Sequence, residues 1–229
     1  MKKFRVLLAF LVVVLFSGFV FAGGAGDEAL QKLMDGNKRY VEGKFASKDL
    51  GDSKRKELST KGQKPFAIVI TCSDSRVPPE LLFDQGLGDV FVIRVAGNVV
   101  DPIELGSIEY AAEHLNSPFL FILGHTKCGA VKATVEGGKP EGNIVAIVKK
   151  IQPAANTAKK KGGTKDEVLE TAIKENVKNV YKDIMKNSAI ISHLSQEGKL
   201  KIVGGEYDIT TGKVNMIELP AMVKSEKKH

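Results

Sequence analysis

Cysteine is scarce in this chain, with Cys72 and Cys128 the only two among 229 residues. Two cysteines cannot build a disulfide framework, so a disulfide-held mini-protein is excluded. No Cys-x-x-Cys pair occurs, which removes a dithiol redox motif. Gly86-x-Gly88 lacks the rest of a dinucleotide fingerprint, and no phosphate loop is present. The spacing from Cys72 to Arg76 is too short for a phosphatase phosphate loop. There is no repeat, no low-complexity block and no basic patch interleaved with aromatics, so nucleic-acid binding is not indicated. Hydrophobic residues at 43% and charged residues at 27% exclude collagen, a coiled coil and a disordered chain. The length fits one domain.

The amino terminus differs from the rest. Lys2, Lys3 and Arg5 precede an apolar run from Val6 to Phe16 that continues to Phe21, and Val20 and Ala22 give a small-x-small ending. Basic, apolar and cleavage-site segments in that order are the pattern of a secretory signal peptide. We expect residues 1–22 to be removed after Ala22, with export to the periplasm and one domain over residues 23–229. No cysteine lies near the cut, so a lipoprotein anchor is excluded. The alternative is a retained membrane anchor, for which the run is short. Cleavage lowers the formal net charge from +7 to +4 and leaves no stable membrane association.

Beyond that segment the pattern is α/β. Asp27 is a plausible N-cap, and Leu30, Leu33, Met34, Asn37, Tyr40 and Val41 follow at helical spacing. Residues 44–64 are polar, with room for one short helix. The runs Phe66–Ile70, Val90–Ile93 and Phe119–Leu123 are continuous and apolar, as in a parallel sheet covered on both faces. Helical stretches are expected over about 103–115, 130–135 and 144–151, with Pro153 bending or ending the last. Thr164 and Glu167 make a capping box ahead of an apolar stripe from Val168 to Met185. Two late strands, 200–203 and 214–219, flank a Thr211-Gly212 turn. The expected fold is a mostly parallel central β-sheet flanked by helices.

Chemistry gathers at the strand ends. Cys72 follows the first strand, Arg94 to Asn98 the second, and His125 to Cys128 the third. In open parallel sheets, ligands bind beyond the carboxyl ends of the strands. Two thiolates and one imidazole suit zinc, and three protein ligands leave a fourth position open, as in catalytic sites. Asp74, paired with Arg76, would stay ionised and fixed in direction. A Cys72–Cys128 disulfide is the bland alternative. His114, His193 and His229 read as surface or helix-face residues.

These residues carry a resemblance. Cys72-Ser73-Asp74-Ser75-Arg76 resembles the Cys-x-Asp-x-Arg motif of the β-class carbonic anhydrases. Gly124-His125-Thr126-Lys127-Cys128-Gly129 resembles the His-x-x-Cys-Gly motif of that family, and Arg94-Val95-Ala96-Gly97-Asn98 its Arg-x-x-x-Asn stretch. The likeness runs from about Leu30 to Leu219. It implies a zinc lyase with one Zn2+ per protomer, held by Cys72, His125 and Cys128. It implies that Asp74 and Arg76 form a catalytic dyad orienting a zinc-bound hydroxide, and that the reaction is reversible hydration of carbon dioxide to bicarbonate and a proton. It implies that Gln63 binds substrate across a subunit interface, that Phe91, Ala96 and Tyr110 wall an apolar pocket, and that Gly129 offers a backbone N–H. A homodimer or tetramer is expected. A family subtype gated by bicarbonate uses a site containing Trp, and this chain has none. With two thiolates on the metal, the bound water should be less acidic than in a three-histidine site, so activity should rise above neutral pH. Two other readings stand beside this one: a hydrolase of carbonyl sulfide or carbon disulfide on the same site, and a non-catalytic zinc-binding module of the envelope.

Overall fold

The computed structural model describes residues 24–221. The amino-terminal segment read as a signal peptide, and His229, lie outside them. Five strands form one sheet in the order β2-β1-β3-β4-β5, from Ala67–Thr71 (β1), Val90–Arg94 (β2), Phe119–His125 (β3), Lys201–Tyr207 (β4) and Val214–Ile217 (β5). The first four run parallel, and β5 pairs antiparallel with β4 through a tight turn. β1 and β3 are buried along their whole length. That burial is the reason their sequences are continuous apolar runs rather than alternating ones.

The register brings the site together. Thr71 pairs with Arg94 on one side and Leu123 on the other. Strands β2, β1 and β3 therefore reach one level, and the residues that follow them share one edge of the sheet.

Helices cover both faces. Residues Ala25–Glu42 (α1) pack Leu33 and Ala29 against Phe83, Phe119 and Phe121 on one face. Asp52–Lys61 (α2) has no fully buried residue, and Pro79–Leu82 (α3) is a single turn. Pro102–Glu109 (α4) starts at a capping box of Asp101 and Glu104, and its last turn widens over Tyr110–His114. Gly129–Glu136 (α5), Ile144–Lys161 (α6), Lys165–Asn187 (α7) and Ala189–Gln196 (α8) complete the set. The α7 stripe turns Val177, Val180, Tyr181 and Ile184 onto Ile70, Leu120 and Ile122 of the sheet. The capping box of Thr164 and Glu167 opens α7 as the sequence indicates.

Two expectations are corrected. The first helix begins at Ala25 after Gly24, so Asp27 lies in its first turn and is not the cap. Pro153 does not end α6, since the helix continues to Lys161. Proline removes one backbone hydrogen bond, but the following turn buries Ala154, Ala155 and Ala158, and that packing outweighs the loss.

Candidate metal centre

Cys72 is the first residue past β1, His125 is the last of β3, and Cys128 caps α5. The strand ends thus place two ligand types before any loop has to wander. Lys127, at φ 56°, makes the turn that carries the chain from His125 back to Cys128. That turn is tied to the end of β4, where the Thr126 N–H donates to the Tyr207 carbonyl at 3.0 Å. All three residues are buried, and their donor atoms lie within 4.8 Å of one another.

His125 is oriented by its neighbour. Its Nδ1 sits 2.9 Å from the Thr126 carbonyl oxygen, which accepts a proton and never donates one. Nδ1 therefore carries the hydrogen, and Nε2 presents a lone pair. That Nε2 is buried and has no hydrogen-bond partner. A buried orphan acceptor needs an explanation, and a metal ion supplies one.

Cys72 and Cys128 are free thiols, not a disulfide. The Cys128 thiol donates to the Cys72 sulfur, which holds Cys72 well below the ordinary thiol range. The same bond, with burial, pushes the Cys128 thiol up. The Gly97 N–H also donates to Cys72 Sγ, at 3.2 Å. Two buried cysteine sulfurs beside an unclaimed imidazole nitrogen form a soft-to-borderline donor set. That set fits zinc.

Asp74 stands next to this triad without belonging to it. Its Oδ1 accepts from Arg76 Nε at 2.9 Å and from the Arg76 backbone N–H at 3.0 Å, and its Oδ2 accepts from Arg76 Nη2 at 2.7 Å. The Arg76 guanidinium holds the Asp74 carboxyl well below the usual carboxylate range. A two-pronged pairing of this kind fixes direction as well as charge. Arg94 buttresses the loop from behind, donating through Nε to the Cys72 carbonyl at 3.1 Å and through Nη2 to the Asp74 carbonyl at 2.5 Å.

The remaining sequence candidates divide. Ala96 opens the turn Ala96–Asn98 that faces Cys72, and Gly129 is the first residue of α5 after Cys128, with open space where a side chain would be. Both are at the site. Phe91 and Tyr110 stack on each other with ring centroids 6.2 Å apart. Phe91 lies three residues before the end of β2, about 10 Å back from the ligand edge at the usual rise per residue. Tyr110 is half exposed. Gln63 is exposed on the loop before β1, in a surface cleft with His114 and Asn116. A single chain therefore leaves Gln63 and Tyr110 on its surface and Phe91 half-buried beside Tyr110, all away from the triad. Among the histidines outside the site, His114 stacks on Tyr110 and His193 pairs with Glu197.

Sequence reasoning named Gly97 and Asn98 within the Arg94–Asn98 stretch without seeing their conformation, and it missed Asn176. Gly97 and Asn98 both have positive φ, 70° and 46°, which no spacing reveals. Asn176 is buried on α7 and donates to the Gly97 carbonyl at 2.8 Å. Its one signal was a polar residue interrupting the apolar stripe.

Comparison with known proteins agrees with this geometry. A family model described as carbonic anhydrase matches residues 67–214. A carbonic anhydrase of Mycolicibacterium smegmatis is 42% identical over 193 residues, covering 82% of this chain and 91% of that protein. Carbonic anhydrase 2 of Mycobacterium tuberculosis is 38% identical over 189 residues, covering 81% and 89%. Among solved structures, the β-carbonic anhydrase CafA of Aspergillus fumigatus superposes with a TM-score of 0.67 at 27% identity, covering 86% of this chain and 92% of that one. A tetrameric β-carbonic anhydrase of Sordaria macrospora gives 0.65 at 26% identity, covering 72% and 87%.

Proposed function

This chain belongs to the β-class carbonic anhydrase family, and on that premise we propose that Cys72, His125 and Cys128 hold a zinc ion at which Asp74 and Arg76 manage the proton of the attacking water. The enzyme class, a carbonic anhydrase, follows from the family. The observation that carries the finer reading is the pairing of an orphaned, buried His125 Nε2 with a carboxylate that Arg76 keeps turned aside.

A zinc ion bound there supplies a Lewis acid that brings the pKa of water toward neutrality. The chain's own residues do the rest. Thr126 holds the His125 tautomer through Nδ1. Asp74 Oδ2 accepts a hydrogen bond from the attacking water and so aims its lone pair at the carbon of carbon dioxide. Arg76 keeps Asp74 ionised and in one orientation. Bicarbonate leaves into solvent through the open side of the site, where Gly129 presents its backbone, and the proton passes to buffer.

The exposed positions of Gln63 and Tyr110, with Phe91 half-buried beside Tyr110, support a pocket completed by a second subunit. We read the enzyme as a homodimer or a tetramer, as the Sordaria protein is a tetramer. The amino-terminal segment supports export to the periplasm with cleavage after Ala22.

Metal analysis and stopped-flow hydration of carbon dioxide on the full chain test this reading together. One zinc per chain and a fast rate that a chelator abolishes are the expected result. Zinc in place with no rate above buffer would overturn the mechanism.

A further inference from the structure

Buried polar side chains in an apolar helix face demand partners. Asn176 is such a residue. It sits on α7 between Ile173 and Val177, and it is 1% exposed. Its side-chain N–H donates to the Gly97 carbonyl at 2.8 Å, across 79 residues of sequence. The same peptide group is held at its other end, where the Asn98 N–H donates to the Val95 carbonyl at 2.8 Å. With the 97–98 peptide fixed on both sides, Gly97 at φ 70° swings its own N–H onto Cys72 Sγ at 3.2 Å. Glycine suits this position, because φ 70° is a conformation side chains rarely adopt and a Cβ would also press on Ile151 Cδ1 at 2.6 Å.

We propose that Asn176 is a positioning residue for the metal centre, which acts through the Gly97 peptide to set the hydrogen bond received by Cys72 and so the donor strength of that sulfur. This rests on the reading of Cys72 as a metal ligand. An N–H bond to a thiolate draws charge off the sulfur. Without it the sulfur lone pairs lie higher in energy and the sulfur is held less firmly in the direction of the metal. The chain thus moderates the charge of the Cys72 sulfur from a helix that itself supplies no ligand.

Cobalt in place of zinc makes this visible, because the sulfur-to-cobalt charge-transfer band reports the energy of the sulfur lone pairs. The full-length chain, Asn176→Ala, Asn176→Leu and Val180→Ala are compared. Asn176→Leu keeps the volume and removes the donor, so it carries the test if Asn176→Ala does not fold. Val180→Ala loosens the same helix without touching Gly97. In both Asn176 variants the band should move to lower energy, and zinc should bind about 10- to 100-fold more weakly in a chelator competition. Val180→Ala should show the wild-type band and affinity. An unmoved band in a folded Asn176 variant, or an equal shift in Val180→Ala, would overturn the proposal. A wild-type protein with no sulfur-to-cobalt band would overturn the ligand assignment beneath it.

Discussion

Asp74 Oδ2 lies 3.9 Å from His125 Nε2, the buried nitrogen that no hydrogen bond claims. A carboxylate that near a donor set is close enough to serve water held beside the metal. It is also close enough to become a ligand itself. Arg76 decides between these, because it occupies both Asp74 oxygens at 2.9 and 2.7 Å. The exposed ion pair contributes little to stability, and its worth lies in direction.

Replacing Asp74 with Asn separates binding from chemistry. The three ligands are untouched, so zinc content should stay at the wild-type level. An amide NH2 facing the water donates where an acceptor is needed, and the hydration rate should fall about 10²- to 10⁴-fold. Stopped-flow rates alongside metal analysis check both halves. An unchanged rate would remove Asp74 from the mechanism.

Arg76→Ala releases the carboxylate. Asp74 would then be free to close the remaining distance and take the open metal position. Anion titration of the cobalt-substituted variant reads this directly. The wild-type spectrum should change when thiocyanate is added, and the variant spectrum should not. A variant that still responds to the anion would show that something other than Arg76 restrains Asp74.

How far the sequence could be read depended on how local each signal was. Cys72, Asp74 and Arg76 fall within five residues, and His125 and Cys128 within four, so their chemistry is visible in a short window. Strands β1 and β3 were visible because burial on both faces leaves unbroken apolar runs, and β2, at the sheet edge, because its short run is apolar too. Asn176 was not visible as a site residue, since its meaning depends on a carbonyl 79 positions away. Pro153 misled because local geometry argues for a stop, whereas the buried alanines after it argue for continuation. Gln63 and Tyr110 lie on the surface of one chain and Phe91 is half-buried beside Tyr110, so no single-chain contact with the triad assigns them a role.

The docking of α1 depends on a missing side chain. A Cβ on Gly36 would lie 1.7 Å from the Phe83 carbonyl oxygen, and backbone cannot step aside cheaply. The next residue, Asn37, ties the same helix to the Leu82 carbonyl at 3.1 Å and to the Gly212 carbonyl at 2.8 Å. Gly36→Ala should therefore force α1 outward and break that anchoring. The expected cost is about 1–3 kcal/mol, read as a Tm several degrees lower. The metal centre is on another part of the fold, and zinc content should be retained. A Tm equal to wild type would mean that α1 shifts without loss.

Glu206 gives the fold a pH dependence that is independent of the metal. Its side chain is nearly fully buried at the end of β4, with Oε1 unpartnered and Oε2 3.7 Å from Lys174 Nζ. Burial, with Glu170 alongside and only partly offset by Lys174, pushes its carboxyl up to about 7. The folded chain then holds a proton that the unfolded chain releases near 4.5. Between those two values the native state binds more protons than the unfolded state, so stability falls as pH rises through that window and stays lower above it. A rise of that size corresponds to roughly 3 kcal/mol once the group is ionised, an upper figure because Lys174 and local relaxation both reduce it. Glu206→Gln mimics the protonated side chain and removes the ionisation. The variant should therefore be more stable than wild type at pH 8, and the difference should shrink to nothing as the pH falls toward 4.5. Thermal melts at several pH values in one buffer series measure this. A variant equal to or less stable than wild type at pH 8 would mean that the Lys174 pairing outweighs the burial of the charge.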